Sequence, residues 1–203
     1  MKTETARPED SGSLVRELKS QATILLCFIG IMWAEELIDN VVFGGGLDRY
    51  GIHPRTLVGL SGIPLAPFLH GGFGHLMANT VPLFVLGFFV MLRRRMDFFY
   101  VTIASTFIGG LGVWLVGRAN TVHVGASIVI FGYLGFLLSR GIFERRLWSI
   151  LGSLAVFFLY GSALWGVLPG REGISWEGHL FGFFGGVLAA RQLSQRAANV
   201  TTT

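Results

Sequence analysis

Charge is scarce in this sequence: 14% of its 203 residues are Asp, Glu, Lys or Arg, about half the share of an ordinary soluble domain, while 52% are hydrophobic and mean hydropathy is +0.60. That balance excludes a soluble globular domain and implies an integral membrane protein. Cysteine is almost missing. The lone Cys27 lies inside an apolar run, so an internal disulfide is excluded and the residue reads as small apolar filler. Arg and Lys do not interleave with aromatics, which excludes a nucleic-acid surface. His-Glu-x-x-His and paired His at i, i+4 are absent, so no metal is expected. A cleavable signal is not expected either, because a mixed-charge tail precedes an apolar run longer than a signal core.

What is present is a series of six apolar stretches, approximately 22–43, 73–92, 98–117, 125–139, 147–168 and 175–192. Each approaches the roughly 20 residues that cross a hydrocarbon core as a helix. The expected fold is an all-α membrane bundle of six transmembrane helices, with a long interfacial loop between the first two. That loop is rich in Gly and Pro yet studded with Leu, Ile and Phe, so it is expected to lie in the membrane interface and pack on the rim of the bundle. Segments 1–21 and 193–203 read as polar tails, with Ser13 to Gln21 as a short interfacial helix. Twelve of the sixteen Lys and Arg residues fall on the side of the two tails, which predicts cytoplasmic termini and contact with anionic lipid headgroups. No inverted repeat is visible, which speaks against a transporter using its histidines as a relay.

Polar residues inside such stretches are costly unless they find a partner or a wet cavity, so they mark function. Ser127 and His179 stand out. The fourth stretch, if anchored by Arg140, rises only about 23 Å, so Ser127 is expected in a first helical turn below the membrane surface, facing a cavity. There, free backbone N–H groups and the helix dipole favour a developing oxyanion. A serine hydroxyl becomes nucleophilic when a base takes its proton, and His179 is the candidate base. His75 and Asn79, spaced i, i+4, share one face of the second stretch and can supply hydrogen-bond donors, with His70 just before it. Phe131, four residues after Ser127, is placed to brace the imidazole. Gly178, Gly182 and Gly186 form a small-residue stripe, and Gly125, Gly132 and Gly135 thin the fourth stretch, so two backbones can approach closely. Glu177 should point away from His179, leaving a Ser/His dyad without an acid. His123 and His53 read as loop residues, and Glu35 and Glu36 as partners for Arg49 or Arg55.

Three motifs then fall into a pattern. His70-Gly71-Gly72-Phe73-Gly74-His75-Leu76-Met77-Ala78-Asn79, Gly125-Ala126-Ser127 and Gly178-His179 with its following glycines resemble the second-, fourth- and sixth-helix motifs of the rhomboid intramembrane serine proteases. The resemblance covers a core of 22–192 and implies the bacterial six-helix type; the compact core without a transit peptide points to a bacterial inner membrane. It implies Ser127 as nucleophile and His179 as general base. His75 and Asn79, with the Ser127 N–H, would form the oxyanion hole. Gly125, Phe131 and His70 would support them. It also implies cleavage of transmembrane protein substrates within the lipid bilayer, without metal or cofactor. A non-catalytic relative that binds transmembrane helices is the alternative. Two positions depart from the family pattern: Ile128 stands where glycine usually follows the serine, to crowd the oxyanion site or face lipid, and the Trp-Arg pair of the first loop is absent.

Overall fold

The structure, a computed structural model of the chain, describes residues 11–170 and 173–201. Lys2, Arg7 and Arg171, used in the charge count, lie outside the described residues. The described residues form seven α-helices: α1 (Ser11–Ile38), α2 (Leu57–Ser61), α3 (Phe73–Met91), α4 (Arg95–Val116), α5 (Ser127–Glu144), α6 (Leu147–Tyr160) and α7 (Trp176–Thr201). One turn of π-helix extends α1 through Phe43, and a 3-10 stretch extends α6 through Val167. Five of these segments are long and apolar enough to cross a membrane: Gly12–Phe43, α3, α4, α5 and Leu147–Val167. The expected sixth stretch is the N-terminal part of α7. It joins the bundle, but its helix runs on to Thr201 through residues read as a tail.

The N-terminus differs from expectation in a similar way. Ser13 to Gln21 do not form a separate interfacial helix; they are the first turns of α1. No Pro or Gly interrupts residues 13–29, and Gln21 is buried, donating to the Met91 carbonyl at 3.2 Å. A polar residue with a partner can continue a helix into a packed end.

At the centre lies α5, most of whose residues are buried, whereas α6 buries only Val156 among its described residues. It packs most heavily on α7. Missing side chains make this possible: a β-carbon on Gly186 would meet the carbonyl oxygen of Gly132, one on Gly182 that of Ile128, and one on Gly135 that of Phe183. Contact between backbones is how apolar helices associate when no hydrophobic driving force separates them from lipid. Tyr133 is fully buried on α5, its hydroxyl 2.6 Å from Thr102 Oγ1 of α4. Thr102 already donates to the Phe98 carbonyl, so the tyrosine is the donor.

The α5 helix is longer than expected at its far end. It passes Arg140 and continues to Glu144, about 27 Å in all. Glu144 is held by Arg140, one turn earlier, and by Arg93 of the α3–α4 turn, which keeps the last turn helical. The long segment 44–72 carries a 3-10 turn (Leu47–Tyr50) and α2, and it packs on the rim of α4. Its Ile52, Ile63 and Ala66 are buried with Val113 and Ile128. Leu57 and Val58 remain largely exposed. Among the described residues, the expected ion pairs with α1 do not form. Arg55 donates instead to the carbonyls of Leu115 and Gly117, Arg49 to Tyr50, while Glu36 accepts from Asn40 at 2.7 Å.

Candidate active site

The N-terminal ends of α3, α5 and α7 meet around a cavity of about 960 Å³, whose lining includes His75 and Asn79 from α3, Ser127 and Phe131 from α5, and His179 from α7. Ser127 is the first residue of α5. By position its N–H lacks an intrahelical acceptor.

Gly125 shapes the approach to that serine. Its φ of +117° lies where side-chain-bearing residues are strained, and a β-carbon there would stand 2.6 Å from Cε1 and 2.8 Å from Nε2 of His75. The same point is 3.7 Å from Asn79 Nδ2, a buried amide nitrogen that has no hydrogen-bond partner. A buried unpaired donor costs roughly 1–3 kcal/mol. That nitrogen lies beside the serine loop, with a donor left to satisfy.

His179 is held on two sides. Its ring stacks on Phe131, centroids 4.0 Å apart and planes within 9°. Its Nδ1 lies 2.9 Å from the carbonyl oxygen of Gly166, in the 3-10 stretch after α6. A carbonyl can only accept, so Nδ1 carries the proton and Nε2 presents its lone pair. Glu177 is buried and forms no hydrogen bond with His179; the place an acid occupies in a triad is taken by a backbone carbonyl. Composition gives no hint of Gly166, because a main-chain oxygen has no residue code.

His70, 1% exposed, sits behind the serine loop. Its Nδ1–H donates to the Phe68 carbonyl at 3.2 Å, leaving Nε2 to accept the Ala126 N–H at 3.3 Å. Burial, with the nearby His75 ring, pushes its pKa down to about 4, so the ring stays neutral as both bonds require.

Ile128 neither crowds the cavity nor faces lipid. Its side chain is buried between α4 and α7, against the positions where Gly109 and Gly178 lack side chains, so two glycines absorb the bulk that follows the serine. His123, read as a loop residue, lies among the cavity-lining residues and bonds to Ser175 just before α7. Ser175 carries a legible signal, since serine favours the position before a helix. Among the described residues, no three His, Cys, Asp or Glu side chains group to hold a metal ion.

The Rhomboid domain model matches residues 59–196, well over half of the chain. The uncharacterized protein Rv1337 of Mycobacterium tuberculosis is 45% identical over 180 residues, covering 85% of this chain and 75% of that protein. RHOMBOID-like protein 5 of Arabidopsis thaliana is 34% identical over 129 residues, 58% of this chain and 40% of that protein. Rhomboid-like protease 5 of Toxoplasma gondii is 28% identical over 137 residues, 60% of this chain and 15% of that much longer protein. With the apolar helices and their glycine-mediated contacts in place, these matches mean that the chain belongs to the rhomboid family.

Proposed function

We propose that this chain is an intramembrane serine endopeptidase that cleaves transmembrane segments of other membrane proteins. The observation that carries the reading is the free Nε2 of His179, fixed by the Gly166 carbonyl on one side of the ring and Phe131 on its face, opening onto the cavity that holds Ser127. In the proposed reaction Ser127 Oγ bonds to the scissile carbonyl carbon while its proton passes to His179 Nε2. The oxyanion accepts from Asn79 Nδ2, His75 and the Ser127 N–H. Collapse breaks the peptide C–N bond, the amine takes the proton from His179, and water hydrolyses the acyl-enzyme by the reverse sequence of transfers. One preorganised oxyanion donor contributes about 3 kcal/mol to such a reaction.

The site lies at the N-terminal ends of α3, α5 and α7, opposite the arginine-rich turns at Arg93 to Arg95 and at Arg145 and Arg146. With cytoplasmic termini, six spans including α7 and a bacterial inner membrane as host, the cavity opens toward the outer face, and substrates enter from the bilayer.

A second reading, a non-catalytic relative that binds transmembrane helices, is favoured by one observation: no hydrogen bond joins Ser127 to His179 among the described residues. Catalytic hydrogen bonds are often long before substrate arrives, so this observation weighs less than the directed imidazole. The test is reconstitution in proteoliposomes with a single-span substrate carrying helix-breaking residues. Wild type should release two fragments, and Ser127→Ala and His179→Ala should release none while keeping the melting temperature of the wild type. Cleavage retained by Ser127→Ala would contradict the proposal.

A further inference from the structure

Beyond the dyad, the loop before α5 and the residue before α7 are joined by one side chain, His123. Its Nε2 lies 2.9 Å from Thr121 Oγ1, and the Thr121 hydroxyl donates to the Arg118 carbonyl at 2.6 Å. With that proton committed, Thr121 accepts, so Nε2 carries the ring proton and Nδ1 a lone pair. Ser175 Oγ, 2.7 Å from Nδ1, is therefore the donor to it, and the same oxygen accepts the Gly178 N–H at 3.3 Å. The Ser175 carbonyl accepts the His179 N–H at 3.1 Å. The His123 main chain is fixed as well, bonding Ile52 in both directions at 3.0 Å. Burial lowers the His123 pKa below its ordinary value, against the pull of Glu177 and with the push of His53, which keeps the ring in the neutral form this chain of bonds needs.

We propose that His123 is a positioning residue: through its Nδ1···Ser175 bond it sets the separation of Ser127 and His179. The two ends of the bond stand at equal remove from the dyad, His123 four residues before Ser127 and Ser175 four residues before His179. The connecting backbone is held at Gly125, whose N–H donates to the Ala66 carbonyl at 2.8 Å, and in the first turn of α7, so a shift at the bond has little slack in which to dissipate. The inference rests on the protease reading.

The test compares the rate of covalent labelling by a fluorophosphonate, together with thermal unfolding in detergent, for wild type, His123→Ala, His123→Asn, His123→Gln, Ser175→Ala and the His123→Ala/Ser175→Ala pair. Misplacing a reacting pair by a fraction of an ångström to an ångström lowers rates by about ten- to a hundredfold, so His123→Ala should label that much more slowly. His123→Asn, whose carboxamide oxygen takes the place of the Nδ1 lone pair, should recover most of the rate. His123→Gln, which places its polar atoms nearer Nε2, should not. The double variant should be no slower than the slower single one. If His123→Ala fails to fold, the contrast between Asn and Gln decides. Labelling of His123→Ala at the wild-type rate, or equal rates for Asn and Gln, overturns the inference alone. A folded wild type that takes no label overturns the protease reading beneath it, and the inference falls with it.

Discussion

The imidazole of His179 lies flat on the ring of Phe131, their centroids 4.0 Å apart and their planes 9° from parallel. The two residues come from different helices, α7 and α5, yet the stack leaves the imidazole only in-plane freedom, and the Gly166 carbonyl removes that. An aromatic contact of this kind contributes about 0.5–1.5 kcal/mol beyond area burial. Phe131→Leu should therefore slow fluorophosphonate labelling by up to about tenfold, since 1.4 kcal/mol is a factor of ten. Phe131→Tyr should stay near the wild-type rate. Labelling kinetics at a single probe concentration measure both.

Close backbone contact between α5 and α7 gives a stability prediction with its own control. A β-carbon at Gly186 would meet the Gly132 carbonyl, whereas Gly152 on α6 has nothing within 4 Å. Gly186→Val should cost at least about 1–3 kcal/mol, the usual range for overpacking, and lower the melting temperature by several degrees. Gly152→Ala should leave it unchanged or raise it, because alanine favours a helix by about 0.5–1 kcal/mol over glycine. Thermal unfolding in one detergent checks the pair.

His70 links acidity to folding. Burial, then the neighbouring His75, pushes its pKa from 6.5 down to about 4. The unfolded chain takes up a proton near pH 6.5 that the folded chain refuses until about pH 4, so stability is fully present above that window and declines as pH falls through it. The contribution of His70 to the melting temperature should shrink between pH 6.5 and 4. His70→Gln, which cannot take this proton, should flatten that part of the curve, as a pH series of unfolding scans would record.

Several parts of this arrangement were legible in the residues, for a physical reason. Ser127, His75, Asn79 and His179 are polar groups in apolar stretches, and the cost of that placement is what directs them around one cavity. The glycine stripe was legible because close packing needs small residues in sequence order. Gly166 was not, since its contribution is a main-chain oxygen in a 3-10 turn. Ile128 misled because its environment is set by side chains that are absent, at Gly109 and Gly178, on two other helices. Arg140 suggested an end to α5 that Glu144 overrides by pairing with Arg140 and Arg93. His123 does lie in a loop, between α4 and α5, but its bond to Ser175 was not legible because the two are 52 positions apart in the chain.

Labelling of Ser127 itself tests the proposed chemistry most directly. The detergent-solubilised chain is treated with a fluorophosphonate, and the modified peptide is identified by mass spectrometry alongside Ser127→Ala and His179→Ala. The expected result is one phosphonylated peptide containing Ser127 in the wild type and no label in either variant. A folded wild type without label at Ser127, or a His179→Ala variant labelled at the wild-type rate, would contradict a serine activated by that imidazole.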